Sequence, residues 1–250
     1  AATSKRQAIP AADAATLLKT ATEKDTWPPL PDATSGPTQR ARRLASVQDA
    51  SRWVAALLQG MRQGECLGLT WDRVDLDAGT LTVDRQLVEM TAAEDVTGTD
   101  GVTYEHLTDG YYWGPVKTKA GSRVLPLVPW MAAALSAWRD QCPTSPYGLV
   151  WPRPDGGPWS KKDDRLAWRA LQDVAGVHKD DGGYYLVHEA RHSTATLLMA
   201  AGVPATVVIA IMGHTAITTS MGYQHADLDQ ARQALEAVAP RLGLTSTPTP

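Results

Sequence analysis

Phenylalanine is absent from this 250-residue chain, although tryptophan occurs nine times. Neither count points to a chemistry. Cysteine occurs only twice, at Cys66 and Cys142, with no metal-binding or redox spacing, so a reducing cytoplasm is the expected compartment. No apolar run approaches the roughly 20 residues of a membrane span. The opening AATSKRQAIP lacks the apolar core of a secretory signal. There is no G-x-x-x-x-G-K-[ST], so no phosphate-cradling loop for a nucleotide is expected. Positive charge is also scarce. Lys and Arg total 24 against 27 Asp and Glu, for a net charge of −3 and a pI near 6.1. This weighs against a nucleic-acid partner, because DNA-binding domains tend to be basic.

The distribution of charge qualifies its sum. Acidic residues gather over 89–109 and at Asp163, Asp164, Asp180 and Asp181. Basic residues gather at Arg40, Arg42 and Arg43, at Lys117, Lys119 and Arg123, and at Lys161 and Lys162. A locally basic face is compatible with an acidic whole. The hydrophobic fraction of 43% and charged fraction of 20% are those of an ordinary globular chain, and 250 residues allow one large domain or two small ones.

In chain order, residues 1–9 read as a frayed leader. Pro10 and the AADAATLLKTA after it read as a helix with proline near its first turn. Residues 25–38 are a Pro/Gly/Ser-rich loop. Leu44, Val47, Trp53, Val54, Leu57 and Leu58 keep helical spacing over 40–58, and Gly60 ends that helix before GECLGL restarts a short one. Residues 80–83 alternate as a strand after the turn Asp77-Ala78-Gly79. Residues 129–140 form a helix, 143–158 a loop with a short strand at 149–151, and Ser160 caps a helix that Gly176 ends. After Tyr223, Leu228, Ala231, Leu235 and Val238 make one apolar stripe on a C-terminal helix, followed by a disordered tail over 241–250.

The richest chemistry lies in residues 188–223. His188 and Arg191 are three apart ahead of an apolar run, so on a helix they share one face. Gly213 and His214 open a second segment that ends at Tyr223. Cationic groups of this kind neutralise phosphate oxygens, histidines move protons, and a phenol oxygen is a nucleophile. A duller reading competes: residues 188–192 spell H-E-x-x-H, a zinc-protease pattern in which His188 and His192 bind metal, Glu189 is the base and His214 is a distant third ligand. That chemistry leaves Arg191, Arg62, Lys117 and Tyr223 without roles. His192 is better read as a structural neighbour hydrogen-bonding within a helix pair.

The pattern H-x-x-R-H-[ST]-x-A-T, then M-G-H, then a tyrosine nine residues past that histidine, resembles the catalytic domain of tyrosine recombinases of the phage-integrase type. G-M-R-Q-G-E-C-L-G-L-T-W-D-R-V-D over 60–75 and P-V-K-T-K-A-G-S-R-V-L-P-L over 115–127 resemble two further family segments, so the likeness spans roughly residues 8–240. Ala190 stands where the family commonly has Leu, a packing change that leaves the polar set intact. The resemblance implies an α+β fold, mostly helical, with a small antiparallel β-sheet or hairpin, and a catalytic domain over 10–240. Residues 85–115 then fall where the family has a short hairpin and imply an enlarged hairpin loop.

The same resemblance implies catalytic Arg62, Lys117, His188, Arg191, His214 and Tyr223, with Glu65 orienting Arg62. Lys119 competes with Lys117, being two residues away and on the same face of a strand. The implied reaction is site-specific cleavage and rejoining of double-stranded DNA through a 3′-phosphotyrosyl intermediate, without cofactor, metal or membrane. It implies a monomer in free solution and a tetramer on attachment-type sites, in a bacterial cytoplasm, with the C-terminal stripe docking in trans on a neighbour. The chain is short for the family, which suggests a catalytic fragment without the N-terminal DNA-binding domains. An accessory DNA-binding relative without chemistry is the alternative.

Overall fold

The computed structural model describes residues 7–29, 36–92, 94–99, 101–213 and 228–245. Helix α1 (Ala11–Thr22) follows Pro10 and buries Ala14, Leu17, Leu18 and Ala21, one helical face. The single helix expected over 40–58 is two: α2 (Pro37–Val47) and α3 (Ala50–Leu57). Asp49 causes the break. Its side chain accepts the Ser51 N–H at 2.9 Å and starts a new helix. The eight residues of α3 are all buried, whereas α2 shows a mostly polar face to solvent. Gly60, at φ 62°, then turns the chain into α4 (Gln63–Leu67).

Two antiparallel sheets follow. Strands β1 (Val74–Asp75), β2 (Thr80–Val83) and β7 (Arg123–Pro126) make the first, in the order β1-β2-β7, with Leu81 opposite Leu125. The stretch expected as an enlarged hairpin loop is a second sheet. Strands β3 (Arg85–Glu89), β4 (Val96–Thr97), β5 (Thr103–Thr108) and β6 (Tyr111–Pro115) lie in the order β3-β6-β5-β4. Its Thr, Tyr and Trp residues suit a pleated surface despite the acidic composition. Leu87 and Tyr112 face inward, fully buried, and Gly110 at φ 77° turns β5 into β6. Across the sheet the Arg85 guanidinium covers the Trp113 ring at 4.2 Å.

The remaining helices are α5 (Pro129–Gln141), α6 (Lys161–Ala175), α7 (Val187–Ala200), α8 (Ala205–Met212) and α9 (Leu228–Val238). Ser160 caps α6 by accepting the Asp163 N–H at 2.9 Å, and Gly176 at φ 65° ends it, as the sequence implies. The strand expected at 149–151 is reduced to one bridge, Thr70 with Leu149, inside a buried segment. Tryptophan fills much of the core: Trp53, Trp151, Trp159 and Trp168 are fully buried, with Trp53 and Trp168 at 5.0 Å between ring centroids. No described helix is long and apolar enough to cross a membrane.

Three expectations about the ends change. The leader is anchored from Gln7 onward, because Gln7 N–H donates to Glu189 Oε1 at 2.9 Å and Ile9 N–H to Ser193 Oγ at 2.7 Å. The tail contributes to the core through Leu242 and Leu244. The C-terminal stripe is covered in cis. Ala231, Leu235 and Val238 of α9 are buried against the chain's own β7 and α8, and Arg232 donates to Leu127 O at 2.9 Å and Gly79 O at 3.2 Å. Only Leu228 of the stripe is exposed.

Candidate active site

The site forms where α4, α7, α8 and the turn before β7 meet. Gly60 opens it. A side chain there would put Cβ 2.7 Å from Met212 Sδ, so glycine lets the chain lie directly against the end of α8. Its carbonyl is thereby offered to Arg191 on α7. Arg191 is buried, and its two terminal nitrogens donate short hydrogen bonds to Gly60 O and Met212 O. Thr194, one turn further along α7, donates to Leu57 O at 2.9 Å and fixes the helix against α3.

Arg62 precedes α4 and keeps its side chain partly exposed. Its Nη1 donates to Glu65 Oε1 at 2.6 Å and its Nη2 to Gly213 O at 3.2 Å, while its backbone N–H donates to Glu65 Oε2 at 2.9 Å. The expected pairing of Arg62 with Glu65 is therefore present. Glu65 is also held from its other side by Arg123, whose Nη2 donates to Oε2 at 2.9 Å. Two arginines thus share one carboxylate, and Arg191 lies close enough to feel the charge of both.

This imbalance shapes the titration of the site. Burial works to raise the Glu65 carboxyl, but Arg123 and then Arg62 outweigh it and hold the group below the usual carboxylate range. Arg191 moves the other way from a normal guanidinium: burial first, then the like charges of Arg62 and Arg123, lower it to about 9. Cys66, next to Glu65, is pushed up to about 12, chiefly by burial, so it stays a thiol and offers no nucleophile.

The other expected residues are placed as follows. Lys117 is exposed in the turn between β6 and β7. Those strands belong to different sheets, so neither Lys117 nor Lys119 lies on a strand, and the same-face argument that linked them does not apply. Lys119 begins a short 3₁₀ turn, Lys119–Gly121. His188 is exposed at the start of α7, with its ring edge-on to His192 at 4.8 Å between centroids. Of the His192 ring nitrogens, Nε2 is buried and finds no partner among the described residues. His214 and Tyr223 lie outside the described residues; His214 directly follows Gly213 in the chain.

The zinc pattern loses its base. Both Glu189 oxygens are engaged by Gln7 N–H, Leu186 N–H and the Lys179 ammonium at 2.7–2.9 Å. Among the described residues, no group of three His, Cys, Asp or Glu side chains is arranged to hold a metal ion.

Arg123 is the residue that sequence reasoning left in the surface basic group. The structure buries it, with Nε donating to Ile211 O at 2.8 Å and Nη1 to Gly121 O at 2.7 Å. A signal was available. Arg123 and Leu125 are two apart on β7 and share a face, and Leu125 is an apolar residue of the core.

Comparison with known proteins agrees with this geometry. Residues 40–230 match the model of the phage integrase family. An integrase of Saccharopolyspora erythraea is 27% identical over 219 residues, covering 70% of this chain and 49% of that protein. Tyrosine recombinase XerC of Xylella fastidiosa (strain M23) is 29% identical over 185 residues, covering 73% of this chain and 50% of that protein. The chain therefore spans about half the length of these curated relatives. The fold is shared with the Tn1549 transposon integrase, solved in complex with transposon right end DNA, at a TM-score of 0.62 and 20% identity over 95% of this chain and 67% of that one. It is shared also with the integrase from mycobacterium phage Brujita, at a TM-score of 0.55 and 18% identity over 98% of this chain and 65% of that one. With three-quarters of its length matched by the family model, the chain belongs to the phage integrase family.

Proposed function

We propose that this chain is the catalytic domain of a site-specific recombinase that cleaves and rejoins double-stranded DNA through a 3′-phosphotyrosyl intermediate. The observation that carries the reading is the arginine excess. Arg62 and Arg123 share a single carboxylate, Glu65, while Arg191 bonds the Gly60 and Met212 carbonyls and is destabilised as a cation by burial and by the two neighbouring like charges. An anion entering the site relieves that stress. A phosphodiester is the anion whose two non-bridging oxygens suit forked donors.

In this reading Arg62, Arg191, His214 and His188 bind the non-bridging oxygens and stabilise the charge that develops on them. The Tyr223 oxygen attacks phosphorus and gives its proton to His188. The P–O5′ bond breaks, and Lys117 protonates the departing 5′-oxygen. The product is a tyrosyl 3′-phosphodiester and a free 5′-hydroxyl. A 5′-hydroxyl from a partner strand then reverses each step. The ester conserves the bond energy, so the reaction needs no nucleotide, metal or other cofactor. The Tn1549 relative was solved with transposon right end DNA, which supports DNA as the partner here, and we read that DNA as double-stranded attachment-type sites. We further read the free protein as a monomer that assembles as a tetramer on paired sites, in the bacterial cytoplasm where that DNA lies.

The test is a nicked suicide duplex carrying the recombination site of the parent element, incubated in EDTA and run on a denaturing gel. A covalent protein–DNA band is expected. DNA binding without any such band would instead favour an accessory relative that holds phosphate without chemistry.

A further inference from the structure

The mechanism above gives Arg123 no task, yet its side chain ties three separate segments of the site together. We propose that Arg123 is a positioning residue: it keeps the Lys117 turn, the Arg62–Glu65 pair and the end of α8 in one register, so that acid and phosphate-binding groups meet the same phosphodiester. The inference rests on the strand-cleavage reading and assigns a further residue to it.

Burial comes first. With a side chain only 6% exposed, Arg123 is no DNA contact. Its acceptors come next. Nη1 donates to Gly121 O at 2.7 Å, and Gly121 donates its own N–H to Thr118 O at 2.8 Å, closing the turn that begins directly after Lys117. Nη2 donates to Glu65 Oε2 at 2.9 Å, and the other oxygen of Glu65 takes Arg62. Nε donates to Ile211 O at 2.8 Å, two residues before Gly213. Each acceptor therefore leads to a different group of the proposed reaction, and one rigid fork spans all three. A lysine ammonium is a single point and cannot do this.

Gly213 tightens the same joint. It sits at φ 60°, and a Cβ there would lie 3.0 Å from Ala120 O and 3.1 Å from both Arg123 Nη1 and Gly121 Cα. The Lys117 turn is therefore pressed against the end of α8, with Arg123 between them. The backbone of Arg123 is fixed independently, by pairing with Val83 of β2. The fork is thus carried by a sheet and reaches out to three less regular segments.

A brace and a positioning residue differ in one readout. When sulfur replaces the bridging 5′-oxygen, the leaving thiolate needs no proton, so a defect in general acid delivery disappears. Single-turnover cleavage by the full chain is compared on oxygen and sulfur suicide substrates. Lys117→Ala is the reference: a loss of about 10²–10⁴-fold on oxygen, recovered on sulfur. For Arg123→Ala we expect near-native DNA affinity, a loss of about 10²-fold on oxygen, and a sulfur-to-oxygen rate ratio raised at least about tenfold over that of the native chain. Arg123→Lys, which keeps the charge beside Glu65 but not the fork, should show the same raised ratio, and it carries the test if the alanine variant does not fold. A ratio equal to the native one, normal cleavage on oxygen, or failure of both variants to fold overturns the proposal and leaves Arg123 a structural brace. Absence of adduct from the native chain on both substrates would instead overturn the strand-cleavage reading itself.

Discussion

Arg52 and Arg191 are buried to nearly the same degree, at 0% and 2% exposure, and are held in opposite ways. Arg52, on α3, donates to Asp164 Oδ2 of α6 at 2.8 Å in a pair with no solvent access on either side. Gln63 donates to the same oxygen at 2.7 Å, and the Arg52 guanidinium lies 4.9 Å from the Trp53 ring centroid. Burial works against this charge, but Asp164, by its charge and its hydrogen bond, outweighs it, and the pKa of Arg52 is raised. Arg191 donates to the carbonyls of Gly60 and Met212, burial and the like charges of Arg62 and Arg123 outweigh the attraction of Glu65, and its pKa falls to about 9. The first is a closed pair, one cation to one anion. The second belongs to a cluster with more cations than anions. A buried cation matched by a carboxylate marks architecture; one surrounded by dipoles and other cations marks a place for an anion that arrives from outside.

That contrast is sharpest under mutation. The largest expected effect on stability is at the closed pair. Arg52→Met leaves Asp164 buried without its cation and should cost about 3–5 kcal/mol in chemical denaturation. Any variant that remains folded should cleave at close to the native rate. Arg191→Lys should do the reverse. It keeps a positive charge but loses the fork, so cleavage should fall about 10²–10³-fold while the denaturation midpoint shifts little. If both variants lost stability equally with no difference in rate, the distinction between pair and cluster would collapse.

The smallest effect concerns Glu65, where the two kinds of site overlap. Its folded pKa lies below the unfolded value, so the stability it contributes is present at neutral pH. That contribution is lost as pH falls below about 4.3, the ordinary glutamate value, toward the folded pKa. Glu65→Gln should therefore destabilise by about 1–3 kcal/mol at pH 7. The gap to the native chain should narrow as the pH of the unfolding titration is lowered through 4. A gap that is constant with pH would mean that the carboxylate charge is not what the arginines hold.

Much of this arrangement could be read from local spacing. Arg62 and Glu65 are three apart and meet across the first turn of α4, and the caps at Ser160 and Gly176 depend on neighbours within a few residues. What escaped was set by distant partners. Arg123 and Glu65 are separated by 58 positions, so the spacing from Leu125 pointed Arg123 inward but could not name its partner. The break at Asp49 was hidden because α2 and α3 both keep helical spacing, and only the cap divides them. The second sheet was masked by its acidic and glycine-rich composition, although Tyr111, Tyr112 and Trp113 are typical strand residues. The α9 stripe was correctly seen as apolar. Spacing identifies a buried face but not which molecule buries it, and here it is the chain's own β7 and α8.

The central claim is that the arginine cluster receives a phosphodiester for attack by Tyr223. The most direct measurement is to trap the covalent complex on a suicide duplex, digest protein and DNA, and identify the nucleotide-bearing residue by mass spectrometry. The account predicts a single 3′-phosphodiester on Tyr223, absent from Tyr223→Phe. A nucleotide carried on any other residue, or an adduct that persists in Tyr223→Phe, would contradict it.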